Sequence, residues 1–181
     1  MRGLHALLVI GLVALLSRPA AEAQTFGSWV ADARSDSPFA ASVDDSGNIF
    51  GQYCSAGRSS CVWLMALASS CQKGDRYPAL ANFETGAVSL EILCKGELES
   101  GHFAYAFTSF DQVDLLVRQG ASVAFAVPLQ REQFRVMRFD LTGAVSALSR
   151  LHESAAALPP AKRGRQDEQL SVSASPRSER Q

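Results

Sequence analysis

The chain has 181 residues, 47% of them hydrophobic and 19% charged, and its formal net charge is −1 at pH 7. That apolar fraction is enough to build a core, which excludes global disorder. The near-neutral charge argues against nucleic acid as a general partner, because counterion release requires a basic surface.

The N-terminus has the three-part layout of a secretory signal peptide. Arg2 supplies a positive charge, an apolar run extends from Leu4 to Leu16, and Ala21-Glu22-Ala23 is the small-x-small pattern that a signal peptidase cleaves. The apolar run is shorter than the roughly 20 residues that span a bilayer. We therefore predict cleavage at Ala23-Gln24, a mature chain with no transmembrane span, and a periplasmic or secreted location.

All four cysteines, Cys54, Cys61, Cys71 and Cys94, follow the predicted cleavage point. An even number of cysteines in an exported chain is typical of disulfides. The alternative is a four-thiolate zinc site, which normally uses closely spaced C-x-x-C pairs that this chain lacks. Three pairings remain open from the sequence. We favour Cys54–Cys61 with Cys71–Cys94, because an antiparallel hairpin would place Cys54 opposite Cys61.

Alternating apolar residues between clusters of turn formers predict a series of short strands. The predicted strands are Phe26–Ala31, Ile49–Cys54, Cys61–Leu67, Tyr77–Phe83, Ala87–Cys94, His102–Thr108, Ser122–Val127 and Phe134–Phe139. In the first strand, Phe26, Ser28 and Val30 are expected on one face. Residues 111–118 fit either a short helix or a strand, and residues 44–48 indicate a plain turn rather than a calcium loop.

The apolar spacing becomes helical from Leu141 to Leu158, with Asp140 or Thr142 available to cap the start. Pro159-Pro160 would end this helix. The expected organisation is a signal peptide over residues 1–23, one disulfide-stapled domain over residues 24–158 and a disordered tail over residues 159–181. The expected fold class is mainly β, an antiparallel β-sandwich-like domain with a C-terminal α-helix.

The chain contains no G-x-S-x-G, H-E-x-x-H or phosphate-loop motif. His102 and His152 stand in no recognisable nucleophile setting. Glu97 and Glu99 would share a face if extended, although a solvated loop is the ordinary interpretation. We therefore predict no catalytic, cofactor-binding or metal-binding residues and no cofactor.

Phe103, Tyr105 and Phe107 alternate along one predicted strand and so share a face. Such a row could form a binding stripe for a ligand or a protein. Core packing is the commoner reason for it.

Several segments together resemble the invasion-associated locus B family of exported bacterial proteins. They are Phe26-Gly27-Ser28-Trp29 after the predicted cleavage point, the paired cysteines amid strands, and the ending FDLTGAVSAL over residues 139–148. The resemblance covers about residues 26–151. Family members tend to carry a cysteine soon after the opening Trp, where this chain has Ala31 and Ala33, so the first disulfide can differ. The resemblance implies a periplasmic or envelope-associated β-domain, linked in some members to host-cell invasion, with no established catalytic residues.

These features favour a non-enzymatic binding role in envelope or host-interaction processes, with another envelope protein or a small ligand as partner. The first alternative is an inhibitor or chaperone-like accessory factor that binds another envelope protein through an exposed strand edge. The second alternative is a hydrolase without a recognisable motif.

Overall fold

The computed structural model describes residues 23–32, 37–55, 60–128 and 134–157. The predicted signal peptide up to residue 22, the predicted tail and residues 129–133 lie outside these ranges. Within them the chain forms ten strands and two helices. In chain order these are β1 Gln24–Phe26, β2 Trp29–Asp32, β3 Phe39–Val43, β4 Ile49–Cys54, β5 Cys61–Leu67, β6 Arg76–Phe83, β7 Gly86–Glu97, β8 Phe103–Phe107, α1 Phe110–Gln119, β9 Ser122–Pro128, β10 Phe134–Asp140 and α2 Ala144–Ala157.

The ten strands form one antiparallel sheet in the order β1-β2-β3-β4-β5-β8-β7-β6-β9-β10. Phe50 on β4 lies five strands away from Phe125 on β9, about 24 Å if the sheet were flat. Their ring centroids are only 4.9 Å apart. The sheet therefore curls over its own inner face and encloses an aromatic core, which confirms the expected mainly β, sandwich-like fold with a C-terminal helix.

Helix α2 covers the inner face of the N-terminal strands β1 to β4. Its apolar stripe is fully buried along Ala144, Ala147, Leu148 and Leu151, as expected for an amphipathic helix that closes a core. Helix α1 buries Val113, Leu116 and Val117. Residues 111–118, whose sequence fits either a short helix or a strand, therefore form a helix.

The prediction of one continuous strand over Phe26–Ala31 is wrong, because this segment contains the end of β1, a turn and the start of β2. Gly27, with a positive φ of 57°, and Ser28 form a tight turn between β1 and β2, so Phe26, Ser28 and Val30 do not share one strand face. The segment between β10 and α2 holds this turn in place. The Ser28 amide donates to the carbonyl oxygen of Thr142 at 3.1 Å. The Trp29 indole nitrogen donates to the carbonyl oxygen of Asp140 at 2.9 Å.

Strand β3, Phe39–Val43, was not predicted from the sequence, and several predicted boundaries differ by one residue. Two boundaries differ by three residues. Strand β7 continues past Cys94 to Glu97, with a register irregularity between Cys94 and Gly96 that lets it follow the curl of the sheet. Helix α2 begins at Ala144 rather than Leu141, because the Asp140 carboxylate accepts the Thr142 amide and Gly143 has a positive φ of 88°. Thr142 and Gly143 form a turn before the helix.

The structure contains two disulfides, Cys54–Cys61 and Cys71–Cys94. Cys54 and Cys61 are direct register partners at the open end of the β4–β5 hairpin. Cys71 precedes β6, and Cys94 lies on β7, which pairs with β6 along its length. The first bridge therefore joins two paired strands, and the second ties the connection before β6 to β7.

Candidate functional site

The aromatic row on β8 lies in the core rather than on an exposed face. Tyr105 and Phe107 are 3% and 7% exposed and belong to the core, and Phe103 packs against that core. Burial raises the pKa of Tyr105 to about 12, and its hydroxyl donates to the Ser69 carbonyl oxygen at 2.9 Å. The row faces inward because the curled sheet encloses this face of β8, so core packing explains the pattern.

The polar residues singled out from the sequence do not come together. Glu97 and Glu99 are exposed at the turn between β7 and β8, as a solvated loop would have them. His102 is half-buried beside that turn, and its backbone oxygen accepts the Leu98 amide. His152 lies on α2 and contacts Gln52 instead.

The candidate binding surface lies on β10, the last strand of the sheet. This strand pairs with β9 along seven residues, and the described residues supply no strand for its other side. Its sequence, Phe-Arg-Val-Met-Arg-Phe-Asp, alternates, so Met137 and Phe139 are buried while Phe134, Val136 and Arg138 lie on the outer face. Within the described ranges, the free side of β10 is therefore an unpaired strand edge beside exposed side chains.

The hydrogen bonds at the end of β10 show which backbone groups point to the open side. The Leu141 amide donates to Ala121 on the β9 side, at 2.9 Å, whereas the Asp140 carbonyl oxygen accepts the Trp29 indole. Backbone groups of alternate residues point to opposite sides of a strand. The N–H and C=O groups of Phe134, Val136 and Arg138 therefore point away from β9, and we call these three residues the β10 edge.

An apolar row runs across the outer face next to this edge. Leu80 on β6, Ala126 on β9 and Val136 on β10 are register partners in one line, and Phe134 lies in the next row opposite Pro128. Phe134 is 71% exposed, Val136 49% and Leu80 48%. We call Leu80, Ala126, Val136 and Phe134 the outer stripe. Contiguous exposed apolar groups of this kind mark interaction surfaces more often than isolated ones do.

A cleft of about 410 Å³ lies at the other end of β10. It is lined by Asn82, Phe83, Glu84, Ser122, Val123, Ala124, Arg138, Phe139 and Asp140. No described carboxylate forms an ion pair with the exposed Arg138. The edge therefore combines unpaired backbone groups, apolar side chains and one cation.

The two carboxylates that line this cleft, Glu84 and Asp140, both accept hydrogen bonds from neighbouring groups. The pKa of Glu84 is lowered by hydrogen bonds, first from its own backbone amide and then from Ser122 and Ala121. The pKa of Asp140 is lowered by the Thr142 side chain and amide and by the Ser28 hydroxyl. Both groups are anionic at neutral pH. A general acid needs the opposite shift, so this pair is suited to fixing turns rather than to transferring protons.

The sequence reports the alternation of β10 but not its position at the end of the sheet. That position depends on the crossovers that bring β8 next to β5 and β6 next to β9. The one available signal is the apolar content of the exposed face, Phe134 and Val136, in a strand that also carries two arginines.

No family model and no curated protein matches this sequence. Among solved structures, invasion associated protein B from Bartonella henselae is similar, with a TM-score of 0.53 at 15% identity. The match covers 72% of this chain and 96% of that one. Within the described ranges, no helix has the length and apolar character needed to cross a membrane. At this identity the likeness shows a shared fold, and this chain has the fold of that invasion associated protein.

Proposed function

We propose that this chain is an exported, non-enzymatic binding protein of the bacterial envelope, and that it binds another protein by strand addition at the β10 edge. The partner contributes an extended segment that pairs with Phe134, Val136 and Arg138. Main-chain hydrogen bonds supply affinity in this mode, and alternate side chains supply specificity.

The observation that carries the proposal is a strand edge that no described residue pairs with, beside exposed apolar side chains. Exposed edges are usually blunted by charge, proline or a covering element, because a bare edge pairs with other chains. Here the outer stripe leaves Phe134 and Val136 exposed next to unpaired donors and acceptors. An extended segment with an apolar residue against Val136 and a carboxylate near Arg138 matches this surface in shape and charge.

Two further observations support a role outside the cytosol. Both pairs of cysteines are bridged, which is typical of oxidising compartments. The fold is also that of a protein described as invasion associated. The predicted cleavage at Ala23-Gln24 is consistent with both.

Site-directed photocrosslinking tests the proposal. A photoreactive benzoyl-phenylalanine at position 134, introduced into the full chain in its native bacterium, should crosslink to one envelope protein. Val136→Pro should abolish the crosslink, because proline removes an edge donor without breaking a bond to β9. With the purified partner, Val136→Pro should weaken binding by about tenfold or more, which is about 1.4 kcal/mol.

Val62→Lys is the matched control. Val62 on β5 is 46% exposed, close to the 49% of Val136, but lies in the middle of the sheet. It should leave crosslinking at position 134 unchanged. Full crosslinking in the Val136→Pro chain, or equal loss in the Val62→Lys chain, would reject strand addition at β10.

A further inference from the structure

The open end of the β4–β5 hairpin places two sulfur atoms and an imidazole next to one another. Cys54 and Cys61 face each other across the two strands, and His152 approaches them from α2. The two sulfur atoms and a ring nitrogen of His152 all lie within 4.8 Å of one another. Among the described residues, no other three side chains of the metal-ligating types come together in this way.

A fully buried glutamine fixes the imidazole. The Gln52 Oε1 atom lies 2.5 Å from His152 Nε2, and the Gln52 amide nitrogen lies 3.5 Å from an oxygen of Asp114. Asp114 is in turn paired with Arg118 at 2.6 Å. An amide oxygen can only accept, so Nε2 carries the ring proton in the neutral imidazole, and the lone pair is on Nδ1.

This chain of contacts is the kind that surrounds a ligating histidine. Metal-bound histidines usually donate their second N–H to a fixed oxygen, which sets the tautomer and the ring orientation. Gln52 is 0% exposed although it is polar. A buried polar side chain needs a hydrogen-bonding partner, and orienting His152 gives Gln52 one.

We propose that reduction of the Cys54–Cys61 disulfide creates a zinc site formed by the two thiolates and the His152 imidazole. Thiolate and imidazole are the ligands that Zn²⁺ prefers. Two thiolates also neutralise the dication, so a half-buried site gains no net charge on binding. This site differs from the four-thiolate arrangement considered from the cysteine spacing, because Cys71 and Cys94 take no part in it.

The redox step needs a dithiol reductant. The reductant transfers two electrons and two protons, the S–S bond between Cys54 and Cys61 breaks, and the dithiol becomes a disulfide. Each cysteine thiol then releases its proton to solvent as Zn²⁺ binds. In the oxidised chain the sulfur atoms are not thiolates, so the metal is not bound.

Cobalt provides the test, because thiolate–Co²⁺ bonds give a charge-transfer absorption. The mature chain is reduced with dithiothreitol, freed of reductant without oxygen, and titrated with Co²⁺ and then Zn²⁺. Reduced wild type should bind one equivalent of Co²⁺ with thiolate absorption, which Zn²⁺ displaces. Oxidised wild type and the Cys54→Ser/Cys61→Ser chain should show none. His152→Gln, whose oxidised form keeps both disulfides, should bind at least about tenfold more weakly.

Alkylation mapping gives a second readout within the wild-type chain. Zn²⁺ should slow alkylation of Cys54 and Cys61 in the reduced chain more than that of Cys71 and Cys94. Equal protection of all four cysteines, or protection of none, would overturn the proposal. Co²⁺ thiolate absorption that persists in the Cys54→Ser/Cys61→Ser chain, or unchanged affinity in His152→Gln, would overturn it as well.

Discussion

Single residues hold the two ends of the described chain together. Gly143 has a φ of +88°, and a Cβ atom at this position would lie 1.9 Å from the carbonyl oxygen of Phe26. The backbone of the β1–β2 turn therefore passes directly over the turn that precedes α2. Asp140 reinforces the contact, since its carboxylate accepts the Ser28 hydroxyl at 2.9 Å and the Thr142 amide at 2.7 Å. A glycine in this place is a packing requirement as well as a conformational one.

Gly143→Ala should destabilise the protein by at least about 2 kcal/mol, because the left-handed conformation and the backbone clash add together. Gly47→Ala is the matched control, since Gly47 has a φ of +78° but a Cβ atom added there would meet nothing within 4 Å. It should cost about 1 kcal/mol. Urea unfolding measures both. Equal losses would contradict the close approach of the Phe26 backbone to Gly143.

Asp140→Asn should reduce stability at neutral pH and change the response to acid. The pKa of Asp140 is lowered in the folded chain from 3.8, so its contribution is present above about pH 4 and lost as pH falls through the folded pKa. The difference in Tm between wild type and Asp140→Asn should therefore shrink from pH 7 to about pH 2. A constant difference for Asp140→Asn across this range would contradict the assignment.

At the level of elements, strand bounds follow the sequence wherever alternation and turn formers agree. Strands β4 and β5 begin and end at the predicted residues, because the turn at residues 44–48 and the cysteine pair mark their ends. The sequence pattern does not predict the β1–β2 hairpin, because Phe26-Gly27-Ser28-Trp29 is equally compatible with a continuous strand. The contact that bends it comes from Asp140, Thr142 and Gly143, more than a hundred residues later.

Helix α2 contributes to stability through one buried face. Leu148→Ala should lower the free energy of unfolding by about 3 kcal/mol, since Leu148 is fully buried against the N-terminal strands. Val145→Ala, on the exposed face of the same helix, should change it by less than about 0.5 kcal/mol. Denaturant unfolding of both variants separates core packing from helix propensity. Similar losses for the two variants would mean that α2 does not close the core.

At the scale of the whole molecule, strand order decides which surfaces are available. The aromatic row of β8 is the stronger sequence signal, yet it is buried because the curled sheet encloses the face of β8 that carries it. Strand β10 has a weaker signal, but it ends the sheet and presents the β10 edge and the outer stripe together. The general class, a mainly β domain with two disulfides, was predictable from residue types. The candidate site was not, because it depends on the order of strands far apart in sequence.

Residue-resolved amide hydrogen exchange on the purified chain without residues 1–23 tests whether β10 is an open strand edge. The amides of Phe134, Val136 and Arg138 should exchange rapidly, while those of Arg135, Met137 and Phe139 should be protected by their bonds to β9. Protection of both sets would contradict the account, because it would mean that the edge is already covered.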